Sequence, residues 1–464
     1  MDNAAIFAGA GLSAKLGYVD WKGLMKSVAE DLGLSVDKET DLIAVAQYHS
    51  NHFGGNRTKL DELLITEFTK DAKPSRNHDL IAALPLAAIW TTNYDTLIED
   101  AYRSIGKRVD KKTTVQNLAQ TAPRTDIVIY KMHGDISQPQ EAVLTKDDYE
   151  NYTDKRGLFT IKLQGDLVSK TFLFVGFSFT DPNIEYILSR VRALIGQKNE
   201  RHHYYFAKRI EKPKPFTGKK KADYEYDTSK QRHFLNDLQR FGIQTVLIDD
   251  YSQITEIFEE LHRNVYRRSI FVSGSAHEYA PFGRERVERL AYNLGREIIK
   301  NGYNLVSGVG LGIGGTLSLG ALEELYTTQS SFSANSRTLL RPFPQNAPAG
   351  ISQAEFWRKH REDMISKSGF AIFLCGNKEK SGKTVIADGV LEEWEIAKAM
   401  KKYPIPIGAS GHAARQIWEE VNADFSSFYP KSGFKQHFQT LGNENSTDEQ
   451  IIDAVLGIIK RVAG

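Results

Sequence analysis

The stretch AAIFAGAG, residues 4–11, is central to the predicted fold, because an apolar strand-like run ends there in a glycine turn. The same arrangement recurs at AAIWTTNYD, residues 87–95, and at IVIYKMHGD, residues 127–135. Amphipathic helical patterns such as WKGLMKSVAEDL, residues 21–32, lie between these runs. Apolar strands that alternate with such helices predict an α/β fold with a parallel, doubly wound sheet. Loops at the carboxyl ends of its strands then converge on one crevice.

The composition is that of a globular protein without a strong charge bias. The chain has 464 residues, 41% of them apolar, which is enough for large cores. Its 60 basic and 58 acidic residues give a net charge of +2, which argues against a dedicated nucleic-acid binder. No run reaches the roughly twenty apolar residues of a membrane helix, and no signal-peptide pattern is visible. We therefore expect a soluble, cytoplasmic protein that binds neither nucleic acid nor membrane.

Two α/β patterns follow each other, so the sequence predicts two tandem Rossmann-like doubly wound parallel-sheet domains, residues 1–266 and 267–464. A helical insertion at about 20–84 is expected over the first crevice, and the polar, basic segment 208–232 is expected as an exposed loop. The predicted strands of the first domain lie near 4–9, 87–91, 127–132, 171–177, 203–207 and 244–248. Those of the second lie near 269–275, 303–310, 338–343, 369–376 and 403–408.

The turn after the first run suits a phosphate. Glycines allow a tight turn and a close backbone approach, and exposed amides favour an anion. A purely structural turn is the alternative. The candidate substrate-binding residues of this turn are Gly9, Ala10, Gly11 and Ser13.

Asn93 and Asp95 follow the second run, just before a helical pattern. Asn93 has no capping role there, so we expect its amide to hold a ribose hydroxyl or a water. Asp95 is expected at the substrate as well, although part of its role is to N-cap the next helix.

His133 ends the third run and is the candidate general base. Imidazole titrates near neutrality and accepts a proton from a ribose hydroxyl or from water. The alternative is a strand-end histidine that bonds to the backbone. A fourth run, TFLFV at 171–175, leads to Gly176 and Ser178, candidates for ribose or phosphate contact, and Asp181 is expected as the N-cap of a helix.

In this order the four clusters resemble the sirtuin family, whose pattern runs Gly-Ala-Gly-x-Ser, Thr-Gln-Asn-x-Asp, His-Gly and Gly-x-Ser. Thr92 stands where that family has glutamine. The resemblance covers residues 1–266. It implies a Rossmann-like NAD⁺ pocket, His133 as the catalytic base and Asn93 as a catalytic ligand of ribose or water.

Cys375 is the only cysteine, whereas sirtuin deacylases carry a four-cysteine zinc ribbon beside the acyl-lysine cleft. The sequence therefore predicts no metal site and counts against protein deacylation. Cleavage of the nicotinamide–ribose bond remains compatible, since it passes through an oxocarbenium-like state that pocket charges stabilise. Water can then replace acetyl-lysine.

The second domain carries a glycine-dense run, residues 306–316, between a strand-like run and a helix. Gly310, Gly312 and Gly315 satisfy the G-x-G-x-x-G pattern, so an anion-binding crevice is expected, with a tight structural turn as the alternative. The stretch GNKEKSGKT, residues 376–384, misses the P-loop spacing by one residue.

This half resembles the SLOG superfamily of Rossmann-like domains, on the glycine run and on GVLEE at 389–393. A zinc-less sirtuin-like domain followed by a SLOG domain resembles the NAD⁺-hydrolysing effectors of the bacterial Thoeris anti-phage system. Phrases such as KMHGD and DLVSKTFLFVGFSFTDPN carry that resemblance along the chain.

The resemblance implies an NAD⁺ glycohydrolase that depletes cellular NAD⁺ when a cyclic ADP-ribose isomer, made by a TIR-domain partner, binds its second domain. It implies NAD⁺ as substrate without a further cofactor, and a homo-oligomer, expected as a tetramer. Those effectors carry a further helix before the first strand, which this sequence lacks, so oligomer contacts there are left open. The expected signal-binding residues are Ser273, Gly274, Ser275, Gly308, Gly310, Gly312, Arg361, Lys378 and Glu393.

Arginine and lysine suit a pyrophosphate, and glutamate suits ribose or adenine groups. An exposed charge is the alternative for each of these side chains. Two other functions stay open at this point: a sirtuin-type protein deacylase, and a non-catalytic NAD or ADP-ribose sensor that recruits partners. The sequence also leaves hydrolysis and internal cyclisation undecided.

Overall fold

The computed structural model describes residues 3–120, 122–179, 181–196, 201–327, 337–429 and 433–463. The chain divides into two compact units, residues 1–259 and 260–464. The division lies within a helix, Ser252–Val265, shortly before the boundary expected from the sequence, which stays a prediction.

Among the described residues, the first unit contains one parallel sheet of seven strands in the order β3-β4-β2-β1-β5-β6-β7. Six strands lie where the sequence predicts them. The edge strand β3 was not predicted, since its sequence VDKK has one apolar residue. The strands β1–β7 are Ala4–Ala8, Ala88–Thr91, Val109–Lys112, Ile127–Lys131, Thr171–Val175, His203–Lys208 and Ile243–Ile248.

Helices α1–α4 form the expected insertion, and α1–α3 share an apolar core. That core continues to Tyr94 and Leu97, so it packs the insertion against the chain that follows β2. The helices α1–α11 are Trp21–Asp31, Leu42–His52, Thr58–Phe68, Arg76–Ala83, Leu97–Ser104, Val115–Ala119, Lys146–Glu150, Tyr152–Ser169, Pro182–Ile195, Gly218–Gln239 and Ser252–Val265.

The expected loop at 208–232 is wrong over most of its length, because α10 begins at Gly218. The sequence of this helix has no apolar stripe, and Leu238 is the one residue of Gly218–Gln239 that the structure describes as buried. A polar helix is instead supported by pairs one turn apart, such as Lys221 and Glu225, whose charged atoms lie 3.7 Å apart. Hydrophobic periodicity cannot reveal such a helix.

The second unit contains a parallel five-stranded sheet, β10-β9-β8-β11-β14, and the antiparallel hairpin β12-β13, within its described residues. The central strand β11 is buried on both faces, which matches its continuous apolar sequence FAIFLC. The strands β8–β14 are Ser269–Ser275, Asn304–Ser307, Thr338–Leu340, Phe370–Cys375, Asn377–Lys380, Lys383–Ile386 and Tyr403–Ile407.

Helices cover both faces of this sheet, and the fold class of two Rossmann-like α/β sheets is confirmed. GNKEKSGKT forms the hairpin rather than a strand–loop–helix unit, so it is not a P-loop. In the part of the chain that the structure describes, no helix combines the length and apolar character needed to cross a membrane. The helices α12–α19 are Arg284–Lys300, Gly314–Thr327, Gln353–Ser366, Asp388–Ala399, His412–Ala423, Phe425–Phe428, Lys435–Gly442 and Asp448–Ala463.

Candidate functional site

The four polar clusters of the first unit lie at the carboxyl ends of the adjacent strands β4, β2, β1 and β5. The turn after β1 packs on the end of β5, where Gly9 donates its amide to Val175 O at 2.9 Å and Gly11 donates to Gly176 O at 2.9 Å. A Cβ on Gly9 would lie 2.5 Å from Gly176 O. Gly176 has φ +63° and its own Cβ would lie 2.4 Å from Leu12 N. Close packing of two backbones thus requires these glycines.

Contact of this turn with a phosphate stays a prediction. Ala10 and Gly11 are exposed at this edge, as is Ser178 after β5. Ser13 is buried. The exposed residues are the part of both turns that a ligand can reach.

Asn93 lies beside the β1 turn and is 6% exposed. Its Nδ2 donates to Gly9 O at 3.1 Å and lies 3.5 Å from Ser13 Oγ, while its backbone amide donates to Thr91 Oγ1 at 2.9 Å. Its Oδ1 is buried and has no hydrogen-bond partner among the described residues. An unsatisfied buried acceptor costs about 1–3 kcal/mol. Contact of this oxygen with a ribose hydroxyl or a water stays a prediction.

His133 is 4% exposed, and its imidazole lies against two aromatic rings. The ring centroids of Tyr149 and Tyr152 lie 5.6 and 6.4 Å away, both edge-to-face. Nε2 lies 2.9 Å from Asp181 Oδ2, at ion-pair distance, although the angles fall short of a hydrogen bond. The side chain therefore faces a carboxylate, which the sequence did not predict.

Asp181 is also the expected N-cap of α9. Its Oδ1 accepts the amides of Asn183 at 2.9 Å and Ile184 at 3.2 Å. Burial raises the pKa of this carboxyl. His133 and the two amides lower it by more, so the pKa of Asp181 lies below its usual range. The two oxygens of Asp181 therefore serve two different partners.

Lys131 is a fully buried cation beneath the chain that carries Asn93, and sequence reasoning missed it. Its Nζ donates to the carbonyl oxygens of Tyr94, at 3.2 Å, and Asp95. It also pairs with Glu99 at 3.2 Å and Asp135 at 2.6 Å. Burial lowers the pKa of Lys131, but the surrounding carboxylates raise it above its usual value. This cation holds the chain after β2 in place.

Asp95 is buried and does not occupy the N-cap position of α5, which is Thr96. Its Oδ1 accepts the amide of Leu97 at 3.0 Å, so it still satisfies a donor of the first helical turn. The capping role was therefore placed one residue early. Substrate contact by Asp95 stays a prediction.

Replacing Lys131 by methionine is expected to destabilise the first unit by about 3–5 kcal/mol, because Glu99 would keep a buried charge without its cation and Asp135 would lose one of its two cations. Lys111 provides the matched control, since it also pairs with Asp135, at 2.7 Å, but its side chain is 26% exposed. The measurement is the free energy of unfolding of the first unit in urea. Equal losses for Lys131→Met and Lys111→Met would contradict the role of Lys131.

Glycines again bring two turns together in the second unit. A Cβ on Gly274 would lie 2.5 Å from Leu374 O, and one on Gly310 would lie 2.1 Å from Gly274 O. Gly312 has φ +76°, and its Cβ would lie 2.2 Å from Ala276 O. The turns after β8 and β9 thus line one edge of the sheet.

A chain of polar contacts surrounds Arg361 at this edge. Ser273 Oγ donates to Glu393 Oε2 at 2.5 Å, and Arg361 Nε lies 3.6 Å from Glu393 Oε1. Arg361 Nη1 donates to Glu392 Oε2 at 2.8 Å, while its guanidinium stacks on Phe343 at 4.8 Å. Arg361 Nε is buried and has no hydrogen-bond partner among the described residues. The structure therefore brings Ser273, Arg361 and Glu393 together.

Phe343 also explains one of the glycines. A Cβ on Gly308 would lie 2.6 Å from Phe343 Cε2, so the ring that supports Arg361 rests on the turn after β9.

Lys378 lies on the hairpin and pairs through Nζ with Asp388 Oδ1 at 2.5 Å. Asn377, which sequence reasoning missed, attaches this hairpin to the loop after β8. Its Oδ1 accepts the amides of His277 and Glu278, both at 2.9 Å. Asn377 O in turn accepts the Ser275 hydroxyl at 3.0 Å. The hairpin thus places Lys378 at the start of α15, the helix that carries Glu393.

Burial raises the pKa of Glu393 to about 7, despite the opposing effects of Ser273 and Arg361. Since the folded state disfavours the ionised carboxylate, its stability is highest below the usual pKa of 4.5 and falls as the pH rises to about 7. The expected loss is about 3 kcal/mol, and Glu393→Gln is expected to abolish it. Unfolding of the second unit by urea at a series of pH values measures this slope. Glu395→Gln, at a carboxylate on the same helix whose side chain is 63% exposed, is the control. An unchanged slope in Glu393→Gln would refute the assignment.

In the part of the chain that the structure describes, no group of three or more His, Cys, Asp or Glu residues is arranged to hold a metal ion. Cys375 is buried at the end of β11, and burial raises the pKa of its thiol to about 12.

Comparisons with known proteins bear on both units. Residues 253–462 match the Sir2- and TIR-associating SLOG family, and residues 87–231 match the SIR2-like domain. The chain is 44% identical over 461 residues to the NAD(+) hydrolase ThsA of Bacillus cereus (strain MSX-D12), covering 99% of this chain and 95% of that protein. It is 42% identical over 463 residues to the NAD(+) hydrolase ThsA of Cytobacillus dafuensis, covering 99% and 93%.

A more distant similarity is confined to part of the chain. The Defense-associated sirtuin 2 of Bacillus subtilis is 30% identical over 207 residues, which are 43% of this chain and 20% of that protein. The sirtuin-like and SLOG resemblances inferred from the sequence are thus confirmed.

Proposed function

Because the chain belongs to the family of NAD(+) hydrolases ThsA, we propose that it cleaves the nicotinamide–ribose bond of NAD⁺ and depletes NAD⁺ in anti-phage defence. The observation that carries the proposal is the buried, unpaired Oδ1 of Asn93, which lies at the same edge of the sheet as His133. In a hydrolytic attack on a ribose carbon, such an acceptor would orient the water and the imidazole would take its proton.

The reaction breaks the bond between the pyridinium nitrogen and the anomeric carbon of the ribose, and nicotinamide leaves as a neutral molecule. The remaining ribose carries oxocarbenium character, as in glycoside hydrolysis. A water molecule, oriented by Asn93 Oδ1, forms the new bond to the anomeric carbon. His133 takes the proton of this water, and ADP-ribose is the second product.

The turns after β1 and β5 are the expected site of the pyrophosphate, where the exposed atoms of Ala10, Gly11 and Ser178 face solvent. Because the glycines have no side chains, a phosphate can approach the backbone closely. The backbone amides of a turn suit an anion. Asp95 is expected at the ribose side of the same pocket.

The second unit is proposed as the site of a signal nucleotide, a cyclic ADP-ribose isomer made by a TIR-domain protein. Arg361 offers a planar fork for a pyrophosphate, and Lys378 adds a second cation at the start of α15. The glycines of the β8 and β9 turns then allow the nucleotide to approach the backbone. A homo-oligomer, expected as a tetramer, and a cytoplasmic location are part of the same proposal.

Nicotinamide release separates this proposal from the two alternatives. The full chain is incubated with NAD⁺, with cyclic ADP-ribose or its ribose-linked isomers, and with or without an acetyl-lysine peptide. Release that needs no peptide supports a hydrolase, release that needs the peptide supports a deacylase, and binding without release supports a sensor. Chromatography of the products also separates ADP-ribose from a cyclised product.

A further inference from the structure

We propose that Asp181 is a positioning residue for the proposed hydrolysis: it holds Nε2 of His133 and leaves Nδ1 as the nitrogen that takes the proton. The inference rests on the proposed function and adds a residue and a tautomer to it. It begins from the 2.9 Å distance between His133 Nε2 and Asp181 Oδ2.

The two oxygens of Asp181 are committed to different partners. Oδ1 accepts the amides of Asn183 and Ile184 at the start of α9. An N-cap needs only one oxygen, which serine or threonine supplies as well. Capping therefore does not explain why Oδ2 faces an imidazole.

Both members of the pair are held in place by their surroundings. The His133 side chain is 5% exposed and that of Asp181 is 9% exposed. Tyr149 and Tyr152 meet the imidazole edge-to-face, and Tyr152 is itself fixed because its hydroxyl donates to Met132 O at 3.2 Å. The backbone amides of Asn183 and Ile184 hold the Asp181 carboxylate through Oδ1. Neither ring nor carboxylate can turn away without breaking these contacts.

The chemistry follows from the charge of the pair. The pKa of Asp181 lies below its usual range, so the carboxylate is ionised at neutral pH, when it can only accept hydrogen bonds. An ionised acceptor beside Nε2 favours the tautomer with hydrogen on Nε2, and the lone pair then lies on Nδ1. Catalytic hydrogen bonds commonly reach full alignment only in the substrate complex, which fits the short distance with imperfect angles seen here.

Two substitutions separate positioning from capping. Asp181→Asn keeps the cap, because the backbone N–H groups of α9 still need the side-chain oxygen as acceptor. With the oxygen held there, the side-chain NH₂ group faces Nε2 of His133. A donor there favours the opposite tautomer. Asp181→Ser keeps a capping oxygen and removes the contact with His133 altogether. Asp41→Asn makes the same change at the N-cap of α2, where the carboxylate accepts the amide of Ala44 at 3.0 Å.

The full chain is assayed for nicotinamide release with the activating cyclic ADP-ribose isomer at saturation. Asp181→Asn is expected to lower kcat by about 10²- to 10⁴-fold with little change in KM, because the base presents the wrong tautomer. Asp181→Ser is expected to lower kcat less. Asp41→Asn should match the unsubstituted chain.

The results distinguish the two proposals. If the unsubstituted chain releases no nicotinamide, the proposed function fails. If that chain is active and His133→Ala is not, but both Asp181 variants keep its kcat, the positioning role is overturned. ¹⁵N spectra of the histidine-labelled chain, assigned through His133→Ala, read the tautomer without any activity. Hydrogen on Nε2 supports the inference and hydrogen on Nδ1 overturns it.

Discussion

Replacing either Asn93 or His133 by alanine is expected to abolish NAD⁺ cleavage while the chain keeps its fold. Removal of a general base commonly lowers a rate by about 10²- to 10⁴-fold, and loss of His133 removes the imidazole that takes the proton. Loss of Asn93 removes the acceptor that orients the water, its buried Oδ1. Both rates are measured as nicotinamide release by the activated full chain.

His203 provides a matched control for the histidine. It is buried at the start of β6, the opposite end of the sheet from the crevice, and its Nδ1 accepts the amide of Phe172 at 3.0 Å. His133→Gln should therefore be inactive and His203→Gln active, although both remove a buried imidazole. Near-normal turnover in both the Asn93 and the His133 variants would show that the site is misassigned.

Arg361→Ala is expected to abolish activation by the signal nucleotide without changing the first unit. The Arg361 side chain is 10% exposed, and its guanidinium pairs with Glu392 and Glu393. An incoming pyrophosphate would replace these two carboxylates as the acceptor. Because a charge-assisted fork is lost, calorimetric binding of the nucleotide should disappear. Coupling between two sites is typically about 1–3 kcal/mol, which corresponds to an activation of about 5- to 150-fold. Arg361→Ala should lose this activation together with nucleotide binding.

Arg358 is the matched control for this substitution. It lies on the same helix, α14, but its side chain is 59% exposed and its Nη1 lies 3.9 Å from Glu392. Arg358→Ala should keep both binding and activation. Arg361→Lys keeps the charge but loses the planar fork, so intermediate binding is expected. Undiminished activation of Arg361→Ala would exclude the assigned signal pocket.

Much of this arrangement could be predicted from local sequence, because strands and the turns after them are local features. The glycines, Asn93 and His133 each end an apolar run, and parallel strands place such ends at one edge of a sheet. Ser273 lies near the end of β8, but Arg361 lies within α14, and the family resemblance rather than local sequence suggested it.

The remainder depends on contacts between residues far apart in the chain. Asp181 shows its capping role in the local sequence, but its contact with His133 follows from the adjacency of loops in space. In the sequence, Lys131 is one more charged residue at the end of a strand, and only the structure shows its four partners. The polar helix α10 has no apolar periodicity to detect, and the hairpin with Asn377 is too short and polar to be recognised as two strands.

Nicotinamide release by the full chain as a function of signal concentration tests the two-site proposal most directly. Cyclic ADP-ribose and its ribose-linked isomers are titrated in parallel with calorimetric binding. For the activating isomer, release should be low without nucleotide and should saturate together with binding. Asn93→Ala should bind the nucleotide but release nothing, and Arg361→Ala should do neither. Equal release with and without every isomer, or full activation of Arg361→Ala, would contradict it.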